Sequence, residues 1–376
     1  MQKKLIALAV AGLVSGAAFA QSNVTVYGVA DMYYGYVKAG AAKVNPALNS
    51  GGLAGSRLGF QGAESLGNGL TAVFQYEVNM FVDSNGTGNV GTLGQTALNP
   101  YGNGGTVGTN TVANNGLSDT RQAYVGLAGG FGTVVAGRLQ SPGYVYTGMY
   151  DALASSKVSP QAILSTYGKM LGAGVGGVGT GSTISPSDYA RVNNAIAYLS
   201  PNFSGFSGVL AYSAGEQPTG DKEGVWALGL NYAAGPLGIG FVHHDIKNYL
   251  GVASADAKEN FIGASYDLKV VKLIGSWQNA KLDLNNTTDK MYQIGAAIPA
   301  GPGSVNIAYG KTKMDRADDD AKSYTIAYLY PLSKRTTAYT AYNRTSNDAN
   351  SAVGILGVGV AGEATTGFVM GLNHKF

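Results

Sequence analysis

Along most of the chain, larger apolar and smaller or polar positions alternate with a period of two. From Leu70 the sequence reads LTAVFQYEV. This sets Leu70, Ala72, Phe74, Tyr76 and Val78 on one face and Thr71, Val73, Gln75 and Glu77 on the other. SYTIAYLY sets Tyr324, Ile326, Tyr328 and Tyr330 against Ser323, Thr325, Ala327 and Leu329, and the terminal GFVMGLNHKF aligns Phe368, Met370, Leu372, His374 and Phe376. Successive side chains of a strand point to opposite faces, so these segments read as β-strands with one greasy and one smaller face. Helical periodicity is hard to find anywhere after Gln21.

Short turn signals punctuate the strands in pairs: Glu64–Gly69, Ala128–Gly132, Ser200–Gly205, Ala234–Leu237, Pro299–Pro302 and Pro331–Lys334. Their Gly, Pro and Asn residues supply the backbone angles of tight hairpins. Between the pairs lie longer polar stretches, notably Asp83–Gly116, Gln140–Ser187, Lys247–Lys258, Met314–Lys322 and Asn347–Gly362. Short turns alternating with long loops is the pattern of a closed outer-membrane barrel. The segments suggest about sixteen strands, starting near Val24, Gly51, Leu70, Leu117, Gly132, Tyr189, Gly205, Gly224, Leu237, Asn260, Val271, Met291, Ser304, Lys322, Arg335 and Glu363; fourteen or eighteen also fit. A lipid-facing sheet edge would leave backbone groups unsatisfied, so such a sheet must close. Sixteen strands are wide enough for an aqueous lumen. A secreted β-solenoid is the competing architecture, but it requires a fixed repeat that this chain lacks.

The first twenty residues stand apart from this pattern. Lys3 and Lys4 precede an apolar stretch, Leu5–Val14, and Ala18-Phe19-Ala20 offers a cleavage site after Ala20. That is the layout of a secretory signal (residues 1–20), leaving residues 21–376 as a single barrel domain. Cleavage would remove two of the 25 basic residues and none of the 22 acidic ones, leaving a net charge of +1. So small a charge gives no footprint for nucleic acid. With 57 Gly, 24 Tyr, no Cys and only 12% charged residues, the chain has neither disulfides nor thiolate metal sites, and its aromatic content argues against disorder.

Three stretches resemble the trimeric general porins of Gram-negative bacteria, especially the β-proteobacterial branch: SRLGFQGAESLGNGLTAVFQYE (Ser56–Glu77), TRQAYVGLAGGFGTVVAGR (Thr120–Arg138) and the terminal GLNHKF. VTVYGVADMYYGY (Val24–Tyr36) and RVNNAIAYLSPNFSGF (Arg191–Phe206) are also similar, so the resemblance runs in blocks over essentially the whole mature chain. It implies an all-β fold: a closed antiparallel transmembrane barrel of sixteen strands whose third external loop folds into the lumen. The implied role is passive diffusion of ions and small hydrophilic solutes. The implied partners are two further copies of the chain, outer-membrane lipid and lipopolysaccharide, and the barrel insertion machinery, for which the terminal Phe376 and Phe368 are the assembly signal. No cofactor is implied.

Motif by motif, the resemblance places Arg57, Arg121 and Arg191 on the constriction wall. Alternation supports Arg57, which shares a face with Gly59 and Gln61. It places Arg191 with Asn193 and Ala195, opposite Val192, Ile196 and Tyr198. Arg121 fits less well, because Gln122 would then face outward and Val125 inward. Asp151, the single acid of the Gln140–Ser187 loop, is the candidate for the opposing carboxylate. Arg138 and Lys157 would add anion preference, and Glu77, inward by parity, would moderate it. A ring of arginines in a narrow lumen favours anions, so weak anion selectivity is expected. The alternatives are a substrate-selective channel of the same architecture and, beyond that, a non-channel surface barrel or adhesin.

Several motifs are poor candidates for chemistry. Gly172–Gly177 matches GxGxxG, but neither a preceding strand nor a following helix is evident. His243 and His244 are adjacent on a strand and point to opposite faces, so they cannot share a metal. Asp315 and Asp318–Asp320 lack calcium-loop spacing and read as a solvated loop, with weak divalent bridging to lipopolysaccharide as the alternative. No Ser/His/Asp or paired-carboxylate constellation is found, so there is no case for an enzyme.

Overall fold

The computed structural model describes residues 23–83, 117–165, 190–214, 224–248, 256–283 and 286–376. The proposed cleavage site after Ala20 and the Gly172–Gly177 motif lie outside them. The described residues form seventeen strands: β1 (Asn23–Ala39), β2 (Ala42–Ser50), β3 (Arg57–Gly67), β4 (Leu70–Met80), β5 (Leu117–Gly129), β6 (Gly132–Gln140), β7 (Arg191–Leu199), β8 (Phe206–Ala214), β9 (Gly224–Ala234), β10 (Leu237–Lys247), β11 (Ala257–Asp267), β12 (Lys272–Leu282), β13 (Thr287–Ala300), β14 (Gly303–Lys313), β15 (Ala321–Pro331), β16 (Thr336–Asn347) and β17 (Thr365–Lys375).

These strands make one antiparallel sheet closed by β1 against β17. At the seam, the amides and carbonyls of Gly28 and Phe376 exchange two hydrogen bonds of 3.1 Å. Strand β2 was not anticipated. Met32–Ala39 of β1 pairs with β2, whereas Asn23–Val29 pairs with β3. Strands β2 and β3 therefore share one position in the wall, and the barrel is sixteen strands around.

Side chains follow the alternation on most strands. Phe74, Tyr76, Tyr324, Ile326, Phe368 and Met370 are exposed on the outside, while Val73, Glu77, Ser323, Thr325 and Val369 are buried toward the interior. The alternation fails at two bulges. Opposite Glu77–Asn79, the β5 register slips so that Glu77 pairs with Gln122 and Val78 with Thr120, leaving Arg121 as the extra residue. Gln122 consequently shares the inner face, and Val125 points outward at 66% exposure, the reverse of the expectation from strict parity. A second slip lies opposite Arg138, where Leu139 pairs with Val192 but Gly137 pairs with Ala195. Asn194 there adopts φ 48°, and Val192 is buried, not lipid-facing. A bulge inserts one residue and re-aims its neighbours.

The described part of the loop after β6 (141–165) runs inside the barrel and holds two helices that the alternation pattern does not reveal, α1 (Pro142–Met149) and α2 (Pro160–Ser165). Each starts with Pro behind a Ser. Ser141 accepts a hydrogen bond from the Tyr144 amide, and Ser159 from the Gln161 amide. Proline at the first helical position and Ser at the cap are ordinary start signals. Helix α1 packs against β9, β10 and β11, and α2 against β13, β14 and β15. The wall makes room for this loop with glycine: a Cβ on Gly240 would lie 2.3 Å from the Tyr150 ring, and one on Gly263 2.5 Å from Tyr150. No described helix is long and apolar enough to cross a membrane.

Candidate functional site

The three arginines of the expected wall cluster come from β3, β5 and β7 and converge on one phenol of the infolded loop. Arg121 is almost wholly buried. Its Nε donates to Glu77 Oε1 at 2.7 Å, its Nη1 to Asn79 Oδ1 at 2.9 Å, and its Nη2 to the Tyr144 hydroxyl at 3.3 Å. Arg57 Nη1 lies 3.9 Å from the same Glu77 carboxylate, and its Nε donates to the Gly55 carbonyl. The Arg191 guanidinium carbon lies 5.0 Å from the centre of the Tyr144 ring, and its Nε and Nη2 are buried without a hydrogen-bond partner. Glu77 also accepts from the Tyr27 hydroxyl at 3.0 Å, and Tyr27 in turn accepts from Gln75. Three guanidiniums less one carboxylate leave the cluster at +2. Burial pushes the Tyr144 phenol up, but Arg121, Arg191 and Arg57 together bring it down to about 7.

Asp151 does not oppose the arginines. Its carboxylate accepts hydrogen bonds from the Leu153 and Ser155 amides, from Ser159 Oγ at 2.5 Å and from Gln293 Nε2 of β13 at 2.6 Å. Those bonds staple the loop to itself and to the wall. Burial raises the Asp151 carboxyl above its ordinary range, with the four hydrogen bonds acting against that shift. The carboxylate that does contact guanidinium is Glu77. Arg138 donates to the Thr120 carbonyl at 2.7 Å and to the Asn193 side chain, clipping together the strands around the two bulges. Lys157 reaches the opposite flank: its Nζ donates to the Ser50 carbonyl at 2.9 Å, above the Tyr33 ring, and its amide to Gly52.

Two functional side chains were not anticipated. Tyr144 was signalled only by the helix start at Ser141-Pro142. Asp31, fully buried, holds the break between β2 and β3. Its carboxylate accepts from the Gly52, Leu53 and Ala54 amides at 2.7–3.1 Å, and from Tyr339 and Asn373 at 2.7 Å each. Acidic character on the inner parity of β1 was its one sequence signal. Of the poorer candidates, His243 and His244 take separate partners, Asn260 and Glu259. Asp319 holds Arg316, and Asp320 the Met314 amide. Among the described residues no group of three or more His, Cys, Asp or Glu is placed to hold a metal ion.

A closed barrel with an infolded, helix-bearing loop facing an arginine wall narrows the candidates to channel proteins, and a family model for Gram-negative porins matches residues 7–350. The chain belongs to the Gram-negative porin family. Outer membrane porin protein 32 of Delftia acidovorans is 32% identical over 391 aligned residues covering 100% of both chains. An outer membrane porin protein of Bordetella pertussis is 26% identical, over 90% of this chain and 93% of that one. The solved anion-selective porin from Comamonas acidovorans matches with a TM-score of 0.75 at 28% identity, over 95% of this chain and 100% of that one. This porin is an outer-membrane protein of Gram-negative type and forms a passive diffusion channel.

Proposed function

We propose that Arg57, Arg121 and Arg191, with Glu77 and Tyr144, form the constriction of the channel and give it a weak preference for anions. The observation that carries this is the net +2 of three guanidiniums gathered around one loop phenol. A charged lumen with low-dielectric walls concentrates ions of the opposite sign. The anion-selective porin of Comamonas, similar in fold and 28% identical, supports the same sign. Arg138 and Lys157 act structurally in this reading, as a strand clip and a loop tether. The outward placement of Tyr292, Tyr309, Tyr324 and Tyr342 supports passive diffusion, because a substrate-selective channel would use aromatic residues as a track along its lumen. The assembly is a homotrimer in this reading, its flank the outward face of β1, β3 and β4, where Gly62 lies between the exposed Val24 and Phe74; Gln122 is turned inward. The test is a planar-bilayer recording in a salt gradient. A reversal potential of anion-selective sign supports the assignment, and a cation-selective sign overturns it.

A further inference from the structure

On the outside of the barrel, β13, β14 and β15 present the same sequence of side chains toward the rim of the long loops. The outward positions run Ile294, Tyr292, Lys290 on β13, then Ile307, Tyr309, Lys311, Lys313 on β14, and Ile326, Tyr324, Lys322 on β15. The isoleucines and tyrosines are exposed by 42–63%. Such an order, apolar then aromatic then cationic, matches the passage from hydrocarbon through the interface to the headgroups.

The strand register makes the lysines unusual. Lys290 lies directly opposite Lys313, and Lys311 directly opposite Lys322. Like charges directly across a strand pair destabilise it. Lys311 and Lys313 are two residues apart on one strand, about 7 Å, so four ammonium groups share a patch roughly 10 Å by 7 Å. None of the four forms an ion pair among the described residues. Three of the four acids of the adjacent loop are committed elsewhere: Asp315 to the Thr288 amide, Asp319 to Arg316 and Asp320 to the Met314 amide; the fourth, Asp318, is exposed. The pattern recurs at Lys258 opposite Lys281, where Asp283 lies 3.2 Å from the Lys281 ammonium.

Opposed lysines at headgroup depth gain by sharing an acceptor that carries more than one negative oxygen. A phosphate does so, and a lipid delivers it at the height of the ammonium groups. We propose that the Lys290–Lys313 and Lys311–Lys322 pairs each bind one phosphate of a lipopolysaccharide molecule in the outer leaflet. Its sugars then lie at the level of Tyr292, Tyr309 and Tyr324, and its acyl chains against Ile294, Ile307 and Ile326. Two lysine pairs about one strand repeat apart suit a doubly phosphorylated glycolipid better than a single-phosphate lipid. This inference rests on the outer-membrane location and not on the constriction assignment.

The test compares the folded full-length porin with K290Q/K311Q/K313Q/K322Q in neutral detergent, titrated with purified lipopolysaccharide. A lysine beside an anionic lipid surface is worth about fivefold. The quadruple variant is therefore expected to bind at least tenfold more weakly, while K269Q/K334Q at the short-turn edge binds as the parent does. Single-channel conductance should stay at the parent value in both. Should the quadruple variant fail to fold, K290Q/K313Q and K311Q/K322Q separately are each expected to lose severalfold. Parent protein should lose the same affinity when the lipopolysaccharide is enzymatically dephosphorylated, and should discriminate little between variant and parent with phosphatidylglycerol or millimolar inorganic phosphate as the probe. Variant binding within twofold of the parent overturns the proposal, as does undiminished binding of the dephosphorylated lipid. Equal losses with phosphatidylglycerol overturn the glycolipid assignment in favour of anionic lipid of any kind.

Discussion

Among the described residues Glu77 is the one acid in contact with the arginine cluster, so replacing it with Gln tests the electrostatic argument directly. The substitution keeps an oxygen acceptor for Arg121 Nε, 2.7 Å away, and sets an amide N–H donor against the Tyr27 hydroxyl oxygen, 3.0 Å from the other carboxylate oxygen, so the barrel is expected to fold. It takes the cluster from +2 to +3, whereas Arg121→Gln takes it from +2 to +1. A unit charge acting on an ion over ~4 Å is worth ~1 kcal/mol at the dielectric of water, and more where the effective dielectric falls. With ~1.4 kcal/mol per factor of ten, each unit of charge should change the partition of either ion by about fivefold in opposite senses, and so the anion-to-cation permeability ratio by about 25-fold. Reversal potentials in a salt gradient should therefore move toward anions in E77Q, toward cations in R121Q, and return close to the parent in the double variant. The shifts should be large at 0.01 M salt, where screening extends over ~30 Å, and shrink at 1 M, where it extends over ~3 Å. If E77Q leaves the ratio unchanged at low salt, or the double variant fails to restore it, the filter does not lie at this cluster.

The remaining outcomes probe the loop and the seam. Raising pH through about 7 ionises Tyr144 and cancels one positive charge, so anion preference should fall between pH 6 and 8, and Tyr144→Phe should flatten that dependence in the same bilayer assay. Asp151→Asn should leave the reversal potential unchanged and instead increase current noise, because the carboxylate fastens the loop and faces no guanidinium. Gly240→Val should push Tyr150 and its loop away from the β10 wall and narrow the lumen, read as lower single-channel conductance and slower uptake of larger sugars in liposome swelling. Deleting Phe376 removes both seam hydrogen bonds with Gly28 and should sharply reduce heat-modifiable, membrane-inserted protein; parent levels would refute its role as an assembly signal.

The strand pattern was legible because period-two alternation is a local property: Leu70–Val78 or Phe368–Phe376 can be assigned a face without knowing any partner strand. The bulges were not legible, because a bulge belongs to two strands at once. The discrepancy at Val125 was visible in the sequence as a break in parity, and Arg121 being the extra residue explains it: alternation is reset there, and the guanidinium turns inward. Asn193-Asn194 carries a comparable hint, since Asn tolerates the left-handed conformation that Asn194 adopts. Asp151 was misread for a different reason. Charge complementarity suggests that a lone acid should face a cluster of arginines. A loop packed inside a barrel must also satisfy its own amides, and Asp151 serves the amides of Leu153 and Ser155.

The abundance of glycine and the placement of charge are two sides of one division of labour in the lumen. Helices α1 and α2 rest on β9–β11 and β13–β15, the side on which Gly240 and Gly263 leave space for Tyr150. The guanidiniums come from β3, β5 and β7 on the other side, and two of those three strands carry a bulge beside the arginine. A side chain larger than glycine beneath the loop would push it toward the arginine wall and close the lumen; an unbulged β5 would turn Arg121 to lipid. Arg121 also ties the two sides together, since it bonds Glu77 of the wall and Tyr144 of the loop with the same guanidinium. In the proposed constriction, lumen width and lumen charge are thus set by separate residues on opposite walls. Substitutions on the glycine side should change conductance with little effect on selectivity, and substitutions on the arginine side the reverse.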